Sequence, residues 1–439
     1  MASTLSGYPQ TEPITVLSSP PPWKHTLVSL TVRNYRIFAM TNIVAMTAVW
    51  MQRIAQDWLV LQLSGSVTAV GITVALQFAP MLLFGLVGGV IVDRYPTRLL
   101  LMLTQTAAVL TSLTLAVLTL TGTVQVWHIY AVAVVLGFVT VIDNPARQVF
   151  TNELVGPAHL RNAISLNSSM FQLGGLIGPA ISGALLVAVG AGWSFGINAI
   201  ACALVVFALS RLRTSELYPA PVAPRAKGQL IEGIRYARSK PTILWTIVIL
   251  AFLAVFSQNL PVTLAAYAND VFQVGPGGYG LFNTLVAVGA LTGALLSTRR
   301  RTVRLRTIVV SAALYGTLQA ASGLMPSEYL FGAALVLAGF GWLLFITSAN
   351  ALVQMSSNTA IRGRVMSLYV LVLLGGQSIG GPTMGWVVEH FGAHVGMVLS
   401  GAVPALAAVV VGLVIARRSD LHLRVRIRRH EPIVTIVGR

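Results

Sequence analysis

The chain alternates between long apolar segments and short polar connections. Each apolar segment is close to 20 residues long, which is the length that one helix needs to cross a bilayer. The pattern predicts an all-α membrane protein with twelve transmembrane helices in two six-helix halves. Numbered in chain order as spans 1 to 12, the predicted segments lie at 36–62, 67–92, 99–120, 125–146, 163–189, 193–210, 243–266, 277–296, 306–324, 329–352, 366–388 and 395–416.

The longest internal polar stretch separates spans 6 and 7 and ends in an amphipathic piece from Gln229 to Arg238. We expect this piece to lie on the bilayer surface through the side chains of Leu230, Ile231, Ile234 and Tyr236. The predicted division is an N-terminal cytoplasmic tail at 1–34, a six-helix half at 35–210, a cytoplasmic linker at 211–242, a six-helix half at 243–416 and a basic cytoplasmic tail at 417–439.

The two halves share landmarks at a constant spacing. The Gly-Pro pair at 178–179 recurs 203 positions later at 381–382, and Gly89 is matched by Gly293 at a spacing of 204. This agreement predicts pseudo-repeated halves, the usual architecture of transporters that rock around a central site. The alternative is chance recurrence of glycine in glycine-rich membrane helices.

Positive charge is distributed by side of the membrane. Of 29 Lys and Arg residues, 28 lie in the two tails and in every second connection, and Arg53 alone does not. Basic residues near span ends stay on the cytoplasmic side. We therefore expect a multi-pass protein of the inner (plasma) membrane with both termini in the cytoplasm.

Composition narrows the class of protein further. Hydrophobic residues make up 55% of the chain and charged residues 9%, with a net charge of +17, and the mean hydropathy is +0.79. A soluble domain is about 25% charged, so the basic excess is a topology signal and we expect no nucleic-acid partner. The single cysteine, Cys202, excludes an intrachain disulfide framework.

The end of span 2 carries a conspicuous motif. Gly89 is followed by Asp93 and Arg94 and then by Arg98. A glycine lets another helix approach closely, while the charged pair leaves the membrane on a short turn. The motif resembles the signature loop of the major facilitator superfamily, although Pro96 stands where the family usually has a glycine. The resemblance implies a conformational gate at which Arg94 approaches Asp143; the alternative is a plain turn that only sets topology.

Span 5 contains a second motif, built from Gly174, Gly178, Pro179 and Gly183. Proline interrupts the helix ladder and the glycines permit tight packing. The motif resembles the one that marks the antiporter, or exporter, branch of the same superfamily. The alternative is a kinked, closely packed helix without directional meaning.

Other segments of the first half extend this resemblance. The stretches 50–60, 143–148 and 160–163 look like the twelve-span efflux branch that includes macrolide, multidrug and enterobactin exporters. One departure matters for mechanism. Many proton-coupled drug exporters carry an arginine deep in span 4, and this chain has none there, so that assignment of the proton-coupling residue does not transfer.

Span 1 contains an ionisable pair well inside the membrane. Arg53 and Asp57 are four residues apart and share a helix face. Arg53 is roughly 13 Å from the outer end of its span at the helical rise per residue, and intramembrane charge favours a functional site. Asp57 is the one acid of the chain placed within a span, so it is our candidate for proton coupling. The alternative is a self-neutralised structural pair.

Uncharged polar and aromatic residues inside the spans suit a weakly charged cavity. Such groups commonly bond between helices, and the aromatic rings also pack against lipid. The candidates for a substrate cavity are Trp50, Gln77, Gln172, Asn259 and Gln377.

These features together predict an exporter. We expect a secondary active exporter of an amphipathic small molecule, with protons as the exchanged ion and membrane lipids around the bundle. We expect no catalytic residues, no metal and no cofactor, because the chain lacks a phosphate-binding loop and a metal-ligand spacing. The alternatives are a lipid or lysolipid transporter on the same fold, and a non-transporting membrane receptor or scaffold.

Overall fold

The computed structural model describes residues 27–218, 229–297, 304–358, 361–418, 422–425 and 434–437. In the described residues, thirteen helices follow one another along the chain. They are α1 Arg33–Ser64, α2 Val67–Arg94, α3 Thr97–Leu120, α4 Val126–Ala188, α5 Ala191–Ser210, α6 Gln229–Ser239, α7 Pro241–Phe252, α8 Leu260–Ala266, α9 Gly275–Ser297, α10 Leu305–Ser322, α11 Glu328–Ser356, α12 Arg362–Phe391 and α13 Ala393–Arg418.

Short elements complete the fold. A 3-10 turn precedes α1 at Val28–Thr31 and another follows α5 at Thr214–Glu216. Beyond α13, strand β1 (His422–Val425) pairs antiparallel with β2 (Val434–Val437), and His422 lies opposite Val437. The predicted basic tail thus contains a small ribbon, whereas the described membrane part is all-α, as the sequence predicted.

Ten helices among the described residues are long and apolar enough to cross a membrane. One of them is the 63-residue helix α4, which covers both predicted spans 4 and 5. Helix α10, at the position of predicted span 9, is not among the ten. The protein is therefore a multi-pass membrane protein, and the count of twelve spans stays a prediction.

Helix α4 corrects the predicted connection between spans 4 and 5. We expected a polar connection over 147–162, but the chain there is helical except at Gly156, which has φ +64° and ψ −179°. Glycine adopts this left-handed φ without a Cβ clash, and Pro157 next to it has no N–H to donate to the helix ladder. Phe150 and Leu154 are fully buried in the first half, so packing extends the helix beyond the membrane segment.

The seventh predicted span is not one regular helix. A π-helical turn at Leu253–Ser257 follows α7, and a second at Tyr267–Val271 follows α8. Pro261 lies in the first turn of α8, with Asn259 as its N-cap residue. A proline at this position needs no N–H partner, which allows the helix to restart there.

For orientation, we call the end of the bundle where α1 begins and α5 ends the terminal face, and the other end the opposite face. Asn34, at the start of α1, donates to the carbonyl of Arg213 after α5, at 2.9 Å. We call residues 33–210 the first half and residues 241–418 the second half. Each half has its own buried apolar cluster towards the terminal face.

A third apolar cluster joins the halves at the opposite face. It includes Trp58 and Val70 from the first half and Tyr279 and Val388 from the second. Helix α2 packs along α12, and the C-terminal arm of α4 packs along α9. The halves therefore pack together through a shared apolar core near the opposite face.

The linker helix α6 docks on the second half. Glu232 forms an ion pair with Arg364 at 2.5 Å, and the Tyr236 hydroxyl accepts from the backbone N–H of Asn358 at 3.1 Å. Tyr236 is thus half-buried against the second half, and its position on the bilayer surface stays a prediction. Ile234 is exposed as expected, and the side chains of Leu230 and Ile231 lie outside the described part of the chain.

Candidate functional site

One face of α1 looks towards the second half. Trp50, Arg53 and Asp57 are spaced by three and four residues, which places them on one side of a helix. The Asp57 side chain is buried, with 5% of the residue exposed, and its Oδ2 accepts a hydrogen bond from the hydroxyl of Tyr279 on α9 at 3.2 Å. Asp57 is therefore bonded across the two halves.

The same contact is reinforced by ring packing. Trp58, the residue after Asp57, stacks on Tyr279 with ring centroids 5.8 Å apart and an interplanar angle of 27°. Both rings belong to the apolar cluster that joins the halves. A carboxylate placed in such a core needs a donor, and in the described structure Tyr279 supplies it.

Arg53 does not pair with Asp57 in this conformation. In the described part of the chain no ion pair within 4 Å joins them, and the Arg53 guanidinium lies over the rings of Trp50 and Phe78, at 5.2 and 5.6 Å from their centroids. Both distances are within the range of a cation–π contact. Aromatic rings therefore contact the guanidinium and Tyr279 contacts the carboxylate, while Arg53 and Asp57 still attract each other at longer range; both the proton-coupling and the structural-pair hypotheses stay predictions.

Trp50 links α1 to the glycine motif of α4. Its ring meets that of Phe171 edge to face, 5.5 Å between centroids. A Cβ at Gly178 would lie 2.7 Å from the Thr47 carbonyl oxygen, and one at Gly174 would lie 3.0 Å from the Met46 carbonyl carbon. These two glycines therefore let α4 approach α1 within the first half.

The other members of the span 5 motif act differently. Pro179 and Gly183 face α9, where a Cβ on Gly280 would lie 2.8 Å from the Pro179 carbonyl oxygen and 2.6 Å from the Gly183 Cα. Gly183 and Gly280 thus form a close crossing between the halves. The motif therefore contributes to two helix contacts, one with α1 inside the first half and one with α9 between the halves. Its role as an exporter motif stays a prediction.

The predicted cavity residues fall into two groups. Gln77 and Gln172 are half-buried, and so is Gln377, whose Oε1 is buried without a partner in the described structure. Asn259 departs from the prediction: it is 2% exposed, and its Nδ2 donates to the Val255 carbonyl at 3.1 Å. Since Asn259 packs against Gly380 of α12, it lies between helices, not on a cavity wall.

The helical period shows which way Gln377 points. Ile379 and Trp386 of the same helix are 58% and 48% exposed. At about 100° per residue, both lie roughly opposite Gln377 on α12. Gln377 therefore points away from the exposed outer surface and towards the interior of the bundle.

The charged turn at the terminal face is arranged differently from the expectation. Asp143 is bonded to Arg147 at 2.9 Å, and it also accepts from Thr104 and Gln105, each at 2.9 Å. In the described structure it does not pair with Arg94, so the predicted contact is wrong for this conformation. Arg147 also donates to the side-chain oxygen of Asn42, which ties the N-terminal arm of α4 to α1 and α3.

The remaining members of that motif occupy distinct positions. Asp93 and Arg94 are exposed at the end of α2, and Arg98 donates to the Leu209 and Ser210 carbonyls at 2.8 and 3.0 Å. A cation at the C-terminus of a helix is favourable, so Arg98 caps α5. Gly89 is buried; a gating role for these residues stays a prediction.

At the neighbouring position, Gly88 closely approaches α4. A Cβ there would lie 2.1 Å from the Val141 carbonyl oxygen. The sequence motif does not include Gly88, because only the packing of α2 in the bundle shows that this glycine faces α4.

The opposite face is closed by close backbone contacts between α2 and α12. A Cβ on Gly71 would lie 2.1 Å from the Gly381 carbonyl oxygen, and Ser378 donates to the Ala75 carbonyl at 3.2 Å. The predicted repeat residue Gly381 thus provides an interface between the halves.

At the end of the same interface, Glu389 of α12 meets the start of α2. Its Oε2 accepts from the Ser66 hydroxyl at 2.7 Å and from the Thr68 backbone N–H at 2.8 Å. Ser66 is also the N-cap of α2 and accepts from the Ala69 N–H. A carboxylate at a helix N-terminus is favourable, so Glu389 stabilises the contact between the two halves.

Sequence reasoning missed Tyr279 and Glu389 as members of the site. Neither residue belongs to a motif that the sequence analysis identified. Tyr279 is separated from Asp57 by 222 positions and Glu389 from Ser66 by 323. Correlated substitutions between such positions would be the signal capable of finding them.

Comparison with known proteins decides the family. A family profile described as transmembrane secretion effector matches residues 25–437. The chain belongs to this family of the major facilitator superfamily. This member of the transmembrane secretion effector family is therefore a secondary transporter and not an enzyme.

Known relatives agree with that assignment. The chain is similar to the enterobactin exporter EntS of Citrobacter koseri, with 26% identity over 387 residues, covering 87% of this chain and 90% of that protein. It is also similar to the enterobactin exporter EntS of Salmonella typhimurium, with 25% identity, covering 87% and 91%. The family member therefore resembles exporters of a small molecule over most of its length.

Solved structures support the fold. A POT family transporter in complex with a thioalcohol-conjugated peptide superposes with a TM-score of 0.71 at 14% identity, covering 88% of this chain and 96% of that one. An inward-facing, unoccupied bacterial homolog of the human lysosomal transporter Spinster superposes with a TM-score of 0.65 at 16% identity, covering 90% and 96%. At these identities the likeness concerns the transporter fold alone.

Proposed function

We propose that this secondary transporter exports an amphipathic small molecule in exchange for protons, by alternating access. The observation that carries the proposal is the hydrogen bond from the Tyr279 hydroxyl to Asp57, at 3.2 Å between α9 and α1. The bond supports the proposal because Asp57, the candidate proton site, then belongs to the contact that closes the opposite face. One bond then links the state of the carboxylate to the position of the two halves.

The cycle follows from that arrangement. Opening of the opposite face separates α1 from α9, and Asp57 loses its donor. Without the Tyr279 donor the ionised form of Asp57 is less favoured, so Asp57 takes a proton from the solution at the opposite face. After closure, the proton leaves towards the terminal face and Asp57 regains Tyr279. Since substrate moves out in the other half of the cycle, each turnover exchanges the two.

The substrate side of the proposal rests on the residues around α1. Trp50 and Phe171 offer aromatic surface, and half-buried Gln77 and Gln172 offer neutral hydrogen-bonding groups. A surface of this kind suits a large, partly apolar molecule. Enterobactin is the first compound to test, because the relatives named above are enterobactin exporters.

The membrane setting completes the proposal. We place the protein in the inner (plasma) membrane with the terminal face towards the cytoplasm, because the basic connections lie on that face. The exposed apolar side chains of the outer helix surfaces, such as Leu83, Leu103 and Ile200, then contact membrane lipids. Export runs from the terminal face to the opposite face.

The test uses purified protein reconstituted into liposomes with an imposed pH gradient. Enterobactin and a set of amphipathic dyes are the transported probes, and a fluorescent phospholipid tests the lipid-transporter alternative. We expect gradient-driven movement of at least one amphipathic probe. Movement of the phospholipid alone would favour the lipid alternative, and absence of any transport would favour the receptor or scaffold.

The decisive variant is Asp57→Asn. We expect it to abolish gradient-driven transport while binding of the probe remains measurable, because the amide cannot cycle a proton. Glu216→Gln is the matched control: its ion pair with Arg213 has partners that are 42% and 58% exposed, outside the interface between the halves. Full gradient-driven transport by Asp57→Asn would contradict proton coupling through this residue.

A further inference from the structure

Arg53 lies on the face of α1 that carries Asp57, and its guanidinium contacts rings of α1 and α2. It is one turn before Asp57 on the same face of α1, and Asp57 reaches Tyr279 in the second half. The side chain of Arg53 is half-buried, not sealed. It is therefore a cation that faces the interior near mid-membrane, on the terminal side of the closed contact.

In the described part of the chain the guanidinium forms no ion pair within 4 Å, and Asp57 attracts it only at longer range. Its contacts are the two ring faces of Trp50 and Phe78, which orient the guanidinium but accept no ordinary hydrogen bond. A guanidinium carries five N–H donors in a planar fork. An intramembrane charge is costly unless it is paired or functional, so this site lacks an acceptor.

Asp57, four residues along α1, does not supply a direct acceptor for the Arg53 guanidinium. Asp57 is four residues away, a spacing that permits an ion pair on a helix, but its Oδ2 accepts from Tyr279 instead. Because Tyr279 belongs to the other half, this restraint lasts only while the opposite face is closed. The structure thus keeps the cation of α1 available in one conformation and gives it a competing carboxylate in the other.

Resting on the export function proposed above, we propose that Arg53, held between Trp50 and Phe78, binds an amphipathic aromatic anion as the exported substrate. The carboxylate or phenolate oxygens accept from the guanidinium fork, and the aromatic part packs on the ring surface that continues to Phe171. Charge-assisted bonds of this kind are strong and directional, and a cationic amphipath is repelled.

The same geometry accounts for release of the anion. When the opposite face opens, Asp57 loses Tyr279 and its carboxylate takes the Arg53 guanidinium, which displaces the substrate. A proton from the opposite side then binds Asp57 and frees it from Arg53 for the return. The substrate on Arg53 and the proton on Asp57 are therefore bound alternately during the cycle.

The experiment compares matched probes of opposite charge. The full chain is placed in nanodiscs of phosphatidylcholine, and equilibrium dialysis measures binding of 2-naphthoate and pyrene-1-carboxylate against the corresponding arylmethyl-ammonium cations, with empty nanodiscs subtracted. We expect wild type to prefer the anions by about tenfold, the scale of a charged hydrogen bond. Absence of saturable anion binding, or equal binding of both charges, would overturn the proposal.

Variants of Arg53 test whether this residue is responsible for the preference for anions. Arg53→Met should lower anion affinity about tenfold and should not lower cation affinity, because the repelling charge is removed. Arg53→Lys should fall between because an ammonium lacks the planar fork. Arg211→Met is the matched control, since Arg211 also lies over a ring, Phe207 at 5.0 Å, but is exposed after α5. An Arg53→Met affinity within twofold of wild type contradicts the assignment.

Two further measurements keep the result interpretable. Thermal unfolding checks each variant, and Phe78→Leu substitutes if Arg53→Met does not fold, with a smaller loss of anion binding expected. Anion binding by Phe78→Leu equal to wild type would then contradict the site. A protein that moves cationic dyes under a pH gradient but ignores the anions would overturn this inference and leave the exporter proposal standing.

Discussion

Two buried acids of the first half differ in what holds them. Asp143 has several partners, all inside its own half, including the guanidinium of Arg147 four residues along. Asp57 is bonded to one side chain, which lies in the other half. An acid whose hydrogen-bond partners all lie in its own half is expected to keep them when the two halves rock against each other. An acid whose donor lies across the moving interface loses it, which makes Asp57 the residue that senses conformation.

Loss of the Asp143 pair should destabilise the first half. We expect Arg147→Met to lower the stability of the protein by about 3 kcal/mol, because removal of one partner leaves a buried charge uncompensated. Arg213→Met is the control, since that arginine pairs with Glu216 at an exposed site and exposed pairs contribute little. Thermal unfolding in detergent measures both. Equal melting of Arg147→Met and wild type would show that Asp143 finds other support.

At the scale of elements, the approach of α2 to α12 sets this conformation. The two backbones meet at Gly71 and Gly381 with no room for a side chain. Backbone atoms cannot rotate aside as a flexible side chain can. The small residues here act as they do in other membrane helix pairs, where they let backbones come close.

Gly71→Ala should therefore oppose closure of the opposite face. A Cβ there would sit 2.1 Å from a carbonyl oxygen of α12, so we expect the population to shift towards an open opposite face. Pulsed electron paramagnetic resonance between spin labels on exposed Trp127 and Tyr329, one in each half, measures the separation. Gly196→Ala is the control because nothing lies within 4 Å of its Cβ position. An unchanged distance distribution for Gly71→Ala would refute this role.

Glu389 should make the same closure sensitive to acid. Its ionised carboxylate accepts from Ser66 and Thr68 at the N-terminus of α2, and these hydrogen bonds lower the pKa of Glu389. Protonation removes the negative charge that the helix N-terminus favours. We expect Glu389→Gln to weaken closure by about 0.5 kcal/mol, roughly a twofold shift in population, and to reduce the effect of acid on the spin-label distance. Retention of the full acid response would assign it to another group.

At the scale of the whole molecule, the halves meet through corresponding helices. Helix α2, the second of its half, packs on α12, and the C-terminal arm of α4 packs on α9. Predicted spans 2 and 11 thus pair in the same way as spans 8 and 5. This relation is what the spacing of the glycine landmarks predicts for two repeated units related by a pseudo-two-fold axis.

Orientation in the membrane can be tested directly. A reporter enzyme that is active only outside the cytoplasm, fused after Arg439, should stay inactive, because the basic connections keep the terminal face inside. The same reporter inserted after Gly122, at the opposite end of α3, should be active. The reverse pattern would overturn both the topology and the direction proposed for export.

The sequence by itself determined the class of protein, and it predicted the positions of the membrane segments and the depth of Arg53 and Asp57. These follow from local properties: apolar length, charge near span ends and helical spacing. It did not determine the helical continuation of α4 through 147–155, because burial of Phe150 and Leu154 depends on neighbouring helices. Local composition alone predicts a polar connection for that stretch.

Only the tertiary structure decided which partners those residues take. The sequence favoured pairing of Arg53 with Asp57, since they share a helix face. In the packed bundle, Asp57 accepts a hydrogen bond from Tyr279, and the Arg53 guanidinium lies over two aromatic rings. Asp143 forms its ion pair with Arg147 instead of Arg94. Partner choice in a bundle depends on how each helix is rotated and how the halves are closed. That information lies in contacts between positions hundreds of residues apart, and no local pattern contains it.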